Sequence, residues 1–238
     1  MKRTWIGVCL VVLGAAGCGG GDETSERAEP AATTAGDERP RERDDGAQIT
    51  GLMGTIPRDE VEGTLNPKMN DFMQCLAGRM GDVEFLAGDI RLSFRIHTDG
   101  SVAWVYPEES DFGDREAERC ILEVARRTRF PRPRGGEAEF SWGFGFDAPD
   151  DVRPPLSWAA DALGERSEDV SEVARSCDAH GDFVVTAYVE PGGAVLAAGG
   201  STPDSESEAT LDCILEAVRA WEMPDPGSYP AKITFPVR

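Results

Sequence analysis

The chain has 238 residues, 40% of them hydrophobic, and sets 24 Lys and Arg against 44 Asp and Glu for a formal net charge of −20. That length holds one or two domains. Such acidity excludes a nucleic-acid binder, which needs a basic footprint, and simple electrostatic docking on anionic lipid.

Lys2 and Arg3 precede an apolar run from Trp5 to Leu13, and the small residues Gly14-Ala15-Ala16-Gly17 then lead to Cys18. The run is too short to cross roughly 30 Å of hydrocarbon as a helix, so residues 1–17 read as an export signal. Ala15-Ala16-Gly17-Cys18 resembles a bacterial lipobox, with Ala15 where that pattern usually has Leu, and makes Cys18 the acylated first residue of a lipoprotein. The alternative is an ordinary secretory signal cut near Gly17. Residues 18–48 follow as an acidic tether almost without apolar content, expected to be disordered because it buries too little surface to offset its ordering entropy.

Order is expected from about Ile49. Asn66-Pro67 signals a helix start, with Asn as N-cap and Pro at the first position. Met69, Phe72, Met73, Leu76 and Met80 recur at helical spacing, with Cys75 at the edge of that face. Ile90 to Ile96 alternates apolar and polar residues as a half-buried strand does. Asp99-Gly100 predicts a two-residue type I′ hairpin, returning as Val102 to Tyr106. A second helix, Gly113 to Thr128, turns Ala117, Ile121, Val124, Ala125 and Thr128 inward and stops before Pro131 and Pro133. The strand Glu137 to Phe146 places Ala138, Phe140, Trp142, Phe144 and Phe146 on one face, and Glu137, Glu139, Ser141, Gly143 and Gly145 on the other.

The chain then repeats itself. Cys120-Ile121-Leu122-Glu123 returns 93 residues later as Cys213-Ile214-Leu215-Glu216, and 7 of the 14 positions in 120–133 match their counterparts in 213–226. A fixed period over that distance indicates a duplicated module. After a Pro/Asp linker at 148–155 comes a helical stretch up to Cys177, then the strand Phe183 to Val189 and a turn at Pro191-Gly192-Gly193. The strand Val195 to Ala198 follows. Ser205-Glu206-Ser207-Glu208 is a capping-box signature opening a helix that presents Leu211, Ile214, Ala217, Val218 and Trp221. The last strand is Ala231 to Val237. The predicted class is α+β: two tandem modules, 49–147 and 156–238, each helix-strand-strand-helix-strand, a small antiparallel sheet with two helices on one face.

Of the six cysteines, Cys9 falls in the signal and Cys18 is the anchor. Cys75, Cys120, Cys177 and Cys213 remain, two per copy, and an even set in an exported chain favours disulfides. Four cysteines allow three connectivities; the duplication selects Cys75–Cys120 and Cys177–Cys213, because each copy repeats the same two-helix placement.

The residues Gly54-Thr55-Ile56, the helix around Cys75, Phe94-Arg95-Ile96 with Asp99-Gly100-Ser101-Val102, Cys120, and Phe130-Pro131-Arg132-Pro133 with Gly135-Gly136 together carry a resemblance. The pattern is similar to the AgmX/PglI C-terminal-domain family, a cysteine-containing relative of the TonB C-terminal fold. It covers about residues 50–146, and 170–238 in reduced form. The resemblance implies envelope machinery, including transport and gliding motility, and protein-interaction modules that pair strands with partners across the periplasm.

Catalytic chemistry finds little purchase. The polar pairs shared by the copies, Glu123/Glu216 and Arg126/Arg219, predict only a surface ion pair on each helix. His97 lies outward at a strand end, His180 after a helix end, and no second pair answers Cys177-x-x-His180 as a metal site would require. No Gly-x-Ser-x-Gly, Walker loop or His-Glu-x-x-His occurs. One feature is unequal between copies: Arg126, Arg127, Arg129, Arg132 and Arg134 gather five arginines into nine residues, a candidate dock for a carboxylate-rich partner. Gly143 and Gly145 leave either room for an incoming strand or relief of twist, whereas Pro236 blunts the matching strand of the second copy.

These readings converge on a non-enzymatic lipoprotein of the cell envelope, anchored at the outer membrane and facing the periplasm, that binds an envelope protein as an adaptor. No catalytic residue, metal, cofactor or nucleic acid is expected. Binding of an envelope polymer is the alternative, and a small hydrolase the third reading.

Overall fold

The computed structural model describes residues 53–164 and 166–238. The signal, Cys18 and the tether lie outside them. Among the described residues no helix is long and apolar enough to cross a membrane.

The architecture is α+β, with two small sheets. Helices α1 (Arg58–Leu65) and α2 (Met69–Ala77) are followed by strands β1 (Gly88–Ile96) and β2 (Val102–Ser110), helix α3 (Arg115–Arg127) and strand β3 (Ala138–Phe146). The sequence then gives β4 (Leu156–Trp158), α4 (Arg166–Ser176), β5 (Phe183–Val189), β6 (Val195–Ser201), α5 (Glu208–Arg219) and β7 (Ala231–Val237). Sheet order is β2-β1-β3 in the first sheet and β4-β7-β5-β6 in the second. The central strand, its hairpin partner and the terminal strand therefore recur in the same arrangement.

Alternation sets the faces. Ile90, Leu92, Phe94 and Ile96 of β1 are buried under Leu65 of α1, Phe72 and Leu76 of α2, and Ile121, Leu122 and Ala125 of α3. In the second half Phe183, Val185, Ala187 and Val189 of β5 lie under Val173 and Ala174 of α4 and Leu211, Ile214 and Val218 of α5. Aromatic rings fill the first core: Phe72 stacks on Phe144 at 5.2 Å and Phe94 on Phe140 at 5.1 Å between centroids. Disulfides join Cys75 of α2 to Cys120 of α3, and Cys177 beyond α4 to Cys213 of α5, with Cα atoms 5.6 and 5.8 Å apart.

Several local expectations are corrected. Asn66 does not open the helix: α1 already runs from Arg58, and Asn66–Lys68 is a 3-10 turn joining it to α2 with no side-chain cap. Pro67 sits at the start of that turn, where its missing N–H removes no intrahelical bond. The Asp99-Gly100 turn is not type I′, because Gly100 takes φ +87° while no positive φ occurs at Asp99. Gly100 N–H donates to the His97 carbonyl, and His97 N–H to that of Ser101, the three-residue hairpin with glycine in the left-handed position. Asp99 instead accepts from the Ser101 N–H at 2.9 Å. The glycine is also needed sterically, since a Cβ there would lie 2.1 Å from the Phe130 carbonyl oxygen; Gly193 stands in the same relation to Met223. The capping box at Ser205–Glu208 does not form. Ser207 precedes α5 without a side-chain cap, and the Glu208 carboxylate is drawn to Arg126.

The stretch read as helical before Cys177 begins with β4, which pairs in parallel with Ala231–Ile233 of β7. The first half has a one-residue equivalent, a parallel bridge from Gly54 to Ala138. A short parallel segment thus precedes the helices in both halves, so neither arrangement is purely antiparallel.

Candidate functional site

The helix-free face of the second sheet is covered by the first half of the chain. Tyr188 of β5 belongs to the first hydrophobic core, its ring 5.2 Å from that of Phe85 and its hydroxyl donating to the Ala87 carbonyl at 3.3 Å. Burial pushes its pKa up. Gly199 of β6 is packed so closely that a Cβ would meet the Asp114 nitrogen and the Glu118 carboxylate at 2.6 Å. The loop 111–114 and the start of α3 therefore close onto a surface made of small residues.

A buried polar network runs through this junction. Asp114 caps α3 by accepting from the Ala117 N–H at 2.8 Å and binds Arg79 through both oxygens. Arg115, almost fully buried, donates through Nε to Asp212 of α5 at 2.8 Å. Arg119 reaches the other oxygen of Asp212 at 2.8 Å. Burial opposes ionising Asp212, yet the hydrogen bonds from Arg119 and Arg115 leave its pKa below the ordinary value. Glu118, with no exposed surface, accepts from the Ser110 hydroxyl at 2.7 Å and from the Gly200 N–H at 3.0 Å. Desolvation raises its pKa to about 7 against the pull of Arg115, Ser110 and Gly200. Arg115 Nη1 lies 3.9 Å from Glu118 and has no hydrogen bond of its own.

All five arginines are exposed, and four of them are engaged by carboxylates. Arg126 makes a paired contact with Glu208 at 2.6 and 2.7 Å, tying α3 to the start of α5. Arg127 pairs with Glu123, Arg129 with Asp99 at 3.4 Å, and Arg134 with Glu60 at 3.3 Å. Arg132 is exposed. The expected helix pair of Glu123 with Arg126 is not made, because Arg126 turns toward α5; its counterpart Arg219 donates to the Ala198 carbonyl. His97 is outward and bonds Glu137 at 2.6 Å. Hydrogen bonds from His97 and Arg95 hold that carboxyl below its usual range.

Gly143 and Gly145 lie on the helix-free face of β3, where the neighbouring strand occupies the space a side chain would need. A Cβ on Gly143 would stand 2.8 Å from the Ile90 oxygen, and one on Gly145 2.4 Å from the Asp89 carboxylate. They line an open groove of about 1060 Å³ that passes from Val184 and Thr234 of the second sheet, along β3, to Ile56 and Val61. Strand β3 ends its sheet, and among the described residues only Gly54 bridges to its outer side, at Ala138.

Sequence reasoning passed over two residues. Trp104 and Tyr106 of β2 alternate with buried Val105, and so point to the helix-free face of the first sheet. They are half-buried, belong to neither hydrophobic core, and lean on each other with centroids 5.5 Å apart. The signal was present in the repeat, which puts Ala197 and Gly199 at the matching positions.

Compared with family models, with curated proteins and with solved structures, the chain gives no match.

Proposed function

We propose that the chain is a lipid-anchored adaptor of the bacterial cell envelope, of the TonB C-terminal-like kind, held at the outer membrane and binding an envelope protein on the periplasmic side. It works without catalysis, by strand addition along the free edge of β3. The observation that carries this reading is the contrast between the two terminal strands. β7 has a three-residue partner over Ala231–Ile233 and then Pro236, whereas the outer side of β3 is bridged, among the described residues, only at Ala138 and presents residues 139–146 without a proline. An open strand edge is a template for a partner's backbone, and the groove beside it has the half-buried row Phe140, Trp142 and Phe144 to receive alternate side chains. Because four of the five arginines already hold carboxylates, they serve to set the frame around this edge.

The partner is to be recovered by crosslinking from native envelopes and amide exchange read with and without it. Exchange over residues 139–146 should slow while that over 231–237 stays unchanged; protection confined to any other segment overturns the assignment. The anchor is checked separately. Acyl chains contribute about 0.8 kcal/mol per buried CH₂, so Cys18→Ser should move the chain from the membrane fraction to the soluble one. Unchanged partition would remove the lipid anchor from the proposal.

A further inference from the structure

The duplication allows the helix-free faces of the two sheets to be compared position by position. In the second sheet Thr186, Tyr188, Ala197 and Gly199 lie under the first half of the chain. At the same places in the first sheet stand Ser93, Arg95, Trp104 and Tyr106, paired across the strands as Ser93 with Tyr106 and Arg95 with Trp104. A second copy of the chain cannot cover this face by repeating the internal contact. Even a Cβ on Gly199 would come within 2.6 Å of the segment seated there, and the first sheet has a tyrosine ring in that position.

The chemistry of the face is specific. It offers two adjacent aromatic rings, then polar side chains already fixed by one another: Arg95 on Glu137 and Glu139, Arg91 on Glu109, and the Ser141 hydroxyl on Glu108 at 2.6 Å. Donors and acceptors alternate, and the arginines balance neighbouring carboxylates. A sheet face has no free backbone N–H or C=O, so a peptide would find no ladder here; peptides add at edges. The net charge of −20 disfavours a polyanion. A ring with an apolar C–H face and hydroxyls around its rim meets all of these conditions, since aromatic faces carry the partial negative charge that C–H groups seek.

We propose that the helix-free face of the first sheet, centred on Trp104 and Tyr106 with Ser93, Arg95 and Ser141, binds an uncharged polysaccharide. The rings stack on successive sugars, and the chain runs along β2 beside Ser93 and Arg95 of β1. Residues 104–109 of β2 span about 17 Å of extended strand, enough for a short run of sugars. This surface is separate from the β3 edge and does not depend on strand addition there.

The test uses the purified full chain and calorimetric titration with hexamers of β-1,4-linked N-acetylglucosamine, β-1,4-linked glucose and α-1,4-linked glucose. At least one should bind. Trp104→Leu and Tyr106→Leu, which keep apolar bulk, should each weaken binding about tenfold, the upper range for an aromatic contact. Leu196→Ala, exposed on the other sheet, should bind as the parent does. Melting temperatures identify any variant that fails to fold, and Ser141→Glu, at an exposed position, should weaken binding without touching the aromatic pair. Absence of binding to all three sugars overturns the proposal, as does affinity that is equal in the parent, Trp104→Leu and Tyr106→Leu.

Discussion

Removing both disulfides should leave the protein largely unfolded at room temperature. The cross-links close 45 and 36 residues, and in the chain-entropy account each restricts the unfolded chain by about 4 kcal/mol. Together that is about 8 kcal/mol, comparable to the whole stability of an ordinary domain, about 5–15 kcal/mol. Cys120 and Cys213 lie on exposed positions of α3 and α5, so reductant has access. Paired substitutions separate the contributions: Cys75→Ser with Cys120→Ser, and Cys177→Ser with Cys213→Ser, should each lower stability in urea titrations by about 4 kcal/mol. Each should also lower the melting temperature by roughly 10 °C for a protein of this size. Because Tyr188 lies in the first core, either pair should shift one common transition. Two separate transitions, or a loss below about 1 kcal/mol, would contradict this account.

Stability should fall as pH rises from about 5 to 8, through Glu118. Burial raises its folded pKa to about 7 from an unfolded value near 4.5. The folded state therefore holds a proton that the unfolded chain has released, and stability declines with pH across that window. The full difference is about 3 kcal/mol, reached above pH 7. The groups that face this carboxyl are the Ser110 hydroxyl on β2, the Gly200 N–H on β6, Arg115 on its own helix and Asp114 at the cap; Asp212 of α5 holds Arg115 from the far side. Glu118→Gln keeps the shape and removes the titrating group, its oxygen accepting from the Gly200 N–H and its NH2 donating to the Ser110 hydroxyl. It should match the parent near pH 5 and exceed it at pH 8. Denaturant melts across that range compare the two, and parallel pH curves for parent and variant would rule Glu118 out as the source.

The secondary structure was readable wherever periodicity and a short-range chemical signal agreed. The alternation of Ile90 to Ile96, the apolar stripe of α3 and the strand Ala231 to Val237 needed nothing beyond local pattern. What escaped was decided by distant partners. Three residues at Leu156–Trp158 become a strand only because β7 lies beside them. Glu208 abandons its capping role because Arg126, 82 residues earlier, lies within reach. Glu118 sits on α3 as an ordinary helix glutamate in sequence, and nothing near it announces that β6 will bury it. The aromatic face was missed for the opposite reason: Trp104 and Tyr106 suit any strand, and only their contrast with Ala197 and Gly199 marks them. The glycines of β3 were ambiguous in sequence, and the approach of β1 to both accounts for their lack of side chains.

Tyr188 also bears on how the chain matures. A polypeptide synthesised N-terminus first presents Ala87 and Phe85 long before the tyrosine that covers them, 101 residues beyond Ala87. During that interval the leading half has its own helices and sheet but an unfinished wall, with Phe85 and the junction at 111–118 open to water. Closing so long a loop is slow compared with local folding, and exposed apolar surface in a half-finished chain invites aggregation. The trailing half thus acts as an intramolecular lid, and the wall of the leading half is completed when β5 and β6 arrive.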